Sequence, residues 1–304
     1  MNDSKWDIKR IVIYLVATVF VAYGLSAVIF LSNPKTFNWD KSHYTIEDNK
    51  SSDINGINKI AVNVSSTQVN IITSEEQQVK AHFYGDISSS SSAKPELQFY
   101  KSGDTLYINV KSINTIIIGF FNSSLKLDVV IPSVFSDSVQ INSSGSISMR
   151  DLKLKNLDLK LSSGSTNINK VSADSFIYDC SSGSLHAEDL ITKTTKLNTS
   201  SGSQNLSNFT GDLKASSSSG GIHVQYAVFN NNIDIDASSG GINIKLPQDS
   251  SFYLDASASS GSIRTDFPIT VTGNGSKHSL KGTVGTSKNN ISIHTSSGSI
   301  NIEK

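Results

Sequence analysis

The chain has 304 residues, with 26 basic and 26 acidic side chains, so its formal charge at pH 7 is zero. That excludes a whole-chain electrostatic attraction to nucleic acid or to anionic lipid. A single cysteine, Cys180, excludes an internal disulfide framework and a cysteine-based zinc site within one chain. Hydrophobic residues make up 37%, which suits a serine-rich β-protein with narrow coils better than a thick globular core.

Residues 1–10 are short and polar, with Lys5, Lys9 and Arg10, and read as a cytoplasmic tail. Ile11 to Leu31 is an uncharged run of 21 residues. At ~1.5 Å per helical residue it reaches ~30 Å, the thickness of a bilayer core. It is expected to be a transmembrane helix that leaves the following domain outside the cytoplasm. The alternative is a cleaved signal peptide, with Gly24 and Ser26 as the small residues near a cut. Residues 32–56 are polar, contain one proline and show no sustained periodicity, so they are expected to form a linker or stalk.

Alternation begins at Ile57. Ile60, Val62 and Val64 alternate with polar residues, then Val69 and Ile71, Leu106, Ile108 and Val110, and Leu125, Leu127, Val129 and Ile131. A period of two predicts half-buried strands. Residues 88–94 are a serine-rich loop, and Thr115 to Phe121 is an apolar run expected to be a buried strand.

From Ser144 a phrase recurs: two serines, a glycine, then a serine or glycine. Its glycines are Gly145, Gly164, Gly183, Gly202, Gly220, Gly240, Gly261 and Gly298, spaced 19, 19, 19, 18, 20, 21 and 37 apart. A fixed period marks a repeat architecture, and the last gap reads as one copy that has lost its serines. Aligned on the glycine, positions −7, −5, −3, +2 and +4 are mostly apolar, as in Leu157, Leu159, Leu161, Thr166 and Ile168. The apolar phase therefore slips by one residue at the glycine. A strand can do this without exposing its apolar side only if it bends there. Glycine allows the positive φ of a sharp bend, and serine fits a crowded corner. Each phrase is thus predicted to be the corner of one ~19-residue coil of a β-solenoid, with coils ~4.8 Å apart. The first copy is off register, since Val139 and Ile141 are one residue out of phase, and is expected to be a transitional first coil. The chain-end coil, Ile291 to Ile302, is expected to leave an open edge capped by Glu303 and Lys304 or by a partner. Residues 268–290 are expected to form a hairpin.

The phrases INKIAVNVSSTQVNI, LKLDVVIPSVFSDSVQINSSGSISM, LPQDSSFYLDASASSGSIRTDFPITVTG and GTVGTSKNNISIHTSSGSINI resemble the bacterial putative-adhesin domain of unknown function found in LiaG-like and YvlB-like proteins. The resemblance covers residues 57–304. It implies a right-handed β-solenoid, a bacterial source and a place in the cell envelope, with adhesion or envelope-stress regulation as associated roles. It supplies no catalytic residues.

The residues themselves point the same way. Serine hydrolysis needs a histidine base, a carboxylate and an oxyanion hole, whereas corner serines that recur in every coil mark a structural requirement. No G-x-S-x-G motif is present. The aspartates are scattered, but two carboxylates from different coils can meet as glycoside hydrolysis needs, so a carbohydrate-active enzyme stands as an alternative reading. The chain is nonetheless expected to be no enzyme and to use no cofactor or metal. Three positions after each glycine stand Asn167, His186, Asn205, His223, Asn243, Arg264 and Asn301. This outward column has two readings. One is a structural ladder of side-chain amides bonded from coil to coil. The other is a polar face for glycan or cell-wall polymer. His186 and His223, two coils and ~10 Å apart, are too far apart to share a metal. The expected partners are the membrane, through residues 11–31, and either a cell-wall polymer or a membrane signalling protein, with no nucleic acid.

Overall fold

A computed structural model of the chain describes residues 8–32, 42–89, 94–111, 122–286 and 288–304. Thr115 to Phe121, residues 33–41 of the expected stalk and most of the serine-rich loop lie outside the described residues. The chain divides into two compact units. The first comprises Met1–Tyr44, Ser88–Ser92 and Thr115–Asn122 and holds helix α1, Ile8–Ser32, of 25 residues. Side chains are described for 14–26 of it, and among the described residues no helix is long and apolar enough to cross a membrane. The second unit, Thr45–Ile87, Ala93–Asn114 and Ser123–Lys304, is built of strands.

The strands of the second unit stack as parallel coils. One inward column runs Leu106, Ile60, Val139, Leu157, Phe176, Thr195, Leu213, Ile233, Ile291 and Leu254, each in register with the next. All of these are buried. A second runs Leu127, Val69, Ile147, Thr166, Leu185, Gln204, Ile222, Ile242, Ile300 and Ile263. One coil has no second apolar layer against which to bury these side chains. Stacking supplies it, at roughly 1.5–3 kcal/mol for each large aliphatic buried. Where the second column turns polar at Gln204, its amide donates to Thr199 Oγ1 at 2.9 Å and to the Ser216 carbonyl at 2.8 Å.

The glycines make the corner between the two columns. A Cβ on Gly164, Gly183, Gly202, Gly220 or Gly240 would collide with the backbone of the preceding corner glycine, and one on Gly145 with Thr67. Gly202 and Gly240 also have φ of +123° and +132°, where a side chain is strained. Their amides continue the ladder: Gly202 N–H donates to Ser219 O at 3.0 Å and Gly220 N–H to Ser239 O at 3.1 Å. A second bend lies six residues on. Asp151, Lys170, Asp189 and Asn208 sit there with φ between 52° and 59°, the left-handed region that Asn and Asp tolerate best.

Coil order departs from chain order at both ends. The strands Asn290–Ser297 and Ile300–Glu303 do not form an outer edge. They lie between the coil of Ile233–Ser239 and Ile242–Lys245 and the coil of Phe252–Ser260 and Ile263–Thr265. Glu303 is therefore no edge cap but a register partner of Lys245. The outer coil is covered by Ser279–Val284, antiparallel to Phe252–Ser260, which blunts a sheet edge as edges require. The long glycine gap thus holds a hairpin, Thr270–Val271 with Ser279–Val284, and no degenerate coil. At the other end the coil of Lys59–Asn63 and Gln68–Ser74 lies between Thr105–Lys111 with Lys126–Pro132 on one side and Ser138–Ser143 with Ile147–Arg150 on the other. The coil at Gly145 is hence not the first. Its phase slip is absorbed locally, because Ser143 takes the inward place and its Oγ accepts from Gly145 N–H at 2.9 Å.

The expected stalk also contributes structure. The strand Ser42–Asp53 buries Ile46, and Thr45 Oγ1 donates to Asp86 Oδ1 at 2.9 Å. Its polar alternation conceals it, since a strand on a sheet edge has only one apolar residue to hide.

Candidate functional site

The outward column lies one residue beyond the inward +2 column, so the period-two strand points it away from the core. Asn167, His186, Asn205, His223 and Asn243 are successive register partners and line one groove of about 780 Å³. Asn301 and Arg264 extend the same row beyond Asn243, in that order because of the inserted coil. Two residues further along each strand is a second row, Asn169, Glu188, Ser207, Gln225 and Lys245, which also lines the groove.

These amides do not form a bonded ladder. Within the row only Asn205 and His186 approach, Nδ2 to Nδ1 at 3.4 Å. Among the described residues, Asn167, His223, Asn243, Asn301 and Arg264 have no side-chain hydrogen bond or ion pair. Asn243 Oδ1 is buried without a partner. The bonded ladder is on the other side of the glycine corner, three residues before Gly145 and four before Gly183, Gly202 and Gly220. There Asn142 donates to Asn63 at 2.7 Å and Asn63 to Asn109 at 2.7 Å. Asn198 donates to Asp179 at 2.6 Å and Ser216 to Asn198 at 2.8 Å. These residues line a second groove of about 860 Å³. Sequence reasoning missed this ladder because Asp179, Asn198 and Ser216, though spaced by one coil, differ in residue type, and its other members are scattered. The asparagines at 63, 109 and 142 belong to coils that are not consecutive in the chain.

The charges of the first groove cancel. Arg150 and Lys245 share the second row with Glu188 and Glu303, with Lys245 and Glu303 in register and Glu188 accepting from Asn169 Nδ2 at 2.9 Å. Among the described residues no three of His, Cys, Asp and Glu gather as a metal site would require. Outside the groove, Ser257 Oγ and His294 Nδ1 form a short serine–histidine pair at 2.7 Å. The other ring nitrogen of His294 meets Ser292 Oγ at 3.3 Å where a triad would place a carboxylate, although Asp236 is in register with His294 on the next coil. Cys180 is buried, as expected of a small inward residue.

The family model described as Toastrack DUF4097 matches residues 57–303. Among solved structures, a putative adhesin from Bacteroides fragilis is similar at 14% identity, over 85% of this chain and 97% of that one, with a TM-score of 0.51. A putative cell adhesion protein from Clostridium sporogenes is similar at 16% identity, over 86% of this chain and 99% of that one, with a TM-score of 0.31. No curated protein matches the chain. Since the model spans most of the sequence, the chain belongs to the Toastrack DUF4097 family.

Proposed function

We propose that the protein is a non-enzymatic module of the bacterial cell surface, held on the membrane by α1, whose outward Asn/His row binds cell-wall polymer. The carrying observation is that row: five register neighbours line an open groove, and most of their polar groups are unbonded. Polar side chains that stabilise nothing internally are available to a ligand, and their regular spacing suits a repeating one. The adhesin description of the Bacteroides fragilis structure with the similar fold supports a surface role. Anchoring is supported by the charge-free run Ile11 to Leu31 and by the hydroxyls within it. Thr18 donates to the Tyr14 carbonyl at 2.7 Å and Ser26 to the Ala22 carbonyl at 2.8 Å, so neither needs water. Full-length protein in detergent micelles should sediment with purified cell walls, and a variant carrying Asn205→Ala and His223→Ala should not. Equal sedimentation of the two would reject the groove as the site.

A second reading is a regulatory subunit that touches a membrane signalling protein through α1. It is favoured by the apolar side chains that the helix leaves exposed, among them Phe20 and Val21. Exchanging residues 11–31 for an unrelated transmembrane helix separates the two. Wall binding survives the exchange under the first reading, and regulation is lost under the second.

A further inference from the structure

We infer that the groove lined by Asn167, His186, Asn205, His223 and Asn243 takes a neutral glycan bearing acetamido groups, and not an anionic phosphodiester polymer; this rests on the polymer-binding reading above. Charge is the first argument. A polyanion site needs a row of uncompensated cations. Here Arg150 and Lys245 are offset by Glu188 and Glu303, so a phosphodiester chain would pass two carboxylates.

Hydrogen-bond polarity is the second. Each asparagine offers both donors and acceptors, and a neutral imidazole one of each. Hydroxyl and acetamido groups answer both, whereas a phosphodiester accepts only. Asn167 and His223, which bond nothing among the described residues, keep donor and acceptor alike free for such a ligand. Repeat length is the third. Register neighbours recur every ~4.8 Å along the groove. That is close to the advance of one β-linked pyranose, so successive sugars of an extended strand meet successive side chains of the row. The row continues past Asn243 through Asn301 and Arg264, so the site favours long ligands.

The test uses full-length protein in micelles with N-acetylglucosamine oligomers, dimer to hexamer, and poly(glycerol phosphate), each at low and high salt. The inference expects affinity for the oligomers to rise with length and to be indifferent to salt. It should fall about fivefold to tenfold in Asn205→Ala, with the circular dichroism of the variant unchanged. Preference for poly(glycerol phosphate), weakening with salt and sensitive to Asn205→Ala, overturns the inference and leaves the polymer-binding groove standing. Sedimentation with walls but binding of neither probe also overturns the inference alone. Absence of wall sedimentation removes both.

Discussion

Gly298 packs on Gly240, although Gly261 lies between them in the chain. The glycine column therefore runs 145, 164, 183, 202, 220, 240, 298, 261, and each member lies where only hydrogen fits in place of a side chain. The same inversion orders the outward row, placing Asn301 beside Asn243 and Arg264 beyond it.

The first prediction concerns that column. Gly240→Ala sets a methyl against the Gly220 backbone at a φ of +132°. It should lower stability by about 2–4 kcal/mol in urea unfolding. The adjacent Gly241→Ala is the control. A Cβ there meets nothing closer than Ser299 O at 4.0 Å, so it should change stability by no more than ~0.5 kcal/mol. Equal effects would mean the corner has no steric need for glycine.

The inserted coil makes the chain terminus indispensable. Ending the chain before Asn290 removes strands flanked by others on both sides, and uncovers Ile233, Ile235, Leu254 and Ala256 together. Cooperative thermal unfolding should be lost. A terminal coil stacked last would instead fray, shifting the midpoint by only a few degrees.

The two amide rows should respond differently to mutation. Asn63 bonds both Asn109 and Asn142, so Asn63→Ala should cost about 1–2 kcal/mol of stability. Asn167, which bonds nothing among the described residues, should tolerate alanine within ~0.5 kcal/mol. Denaturant titration of both variants decides which row is structural.

Alkaline pH should unfold the stack. Burial and then Asp212 hold the Tyr226 hydroxyl well above its ordinary 10.0, and Tyr84 is raised by burial and Asp128. Lys214 is raised above 10.5 by its bond to Asp234 on the next coil, and Lys281 by Asp255. Each group holds its proton more tightly folded than unfolded, so its contribution is whole below the unfolded value and is lost as pH rises through the folded one. Thermal midpoints should be level from neutral pH to just below 10 and fall above it. Tyr226→Phe should flatten part of that fall, at the cost of the hydroxyl bond to Gly211 O, 3.2 Å long.

How much of this was legible follows from what a sequence encodes locally. Leu157, Leu159 and Leu161 announce a strand by alternation, and Gly164 announces its corner by the slip of phase; both are properties of a few consecutive residues. The bend at Asp151, Lys170, Asp189 and Asn208 was legible in principle, as a polar column rich in Asp and Asn six after each of the first four corner glycines. It passes unnoticed because polar residues are also what an exposed strand position holds. Coil order was not legible: Ile291 fits beside Leu254 and Ile233 alike, and nothing near it says that it fits between them. The row of aromatics Phe209, Tyr226, Phe229, Phe252 and Phe267, in edge contact at 5.1–6.2 Å, was hidden for the same reason, since its members come from loops and strands far apart in the chain. The outward Asn/His row could be found from spacing, but whether its amides bond each other depends on side-chain geometry that spacing does not contain.

Cross-linking tests the coil order, and with it the continuity of the binding row, most directly. In a Cys180→Ala background, cysteine pairs replace Asn243 with Asn301, Asn301 with Arg264, and Asn243 with Arg264, and each is oxidised under mild conditions. The first two pairs are register neighbours and should form disulfides readily, whereas the third pair is separated by a whole coil and should not. Rapid linkage of Asn243→Cys to Arg264→Cys, with none to Asn301→Cys, would place the coils in chain order and contradict the account.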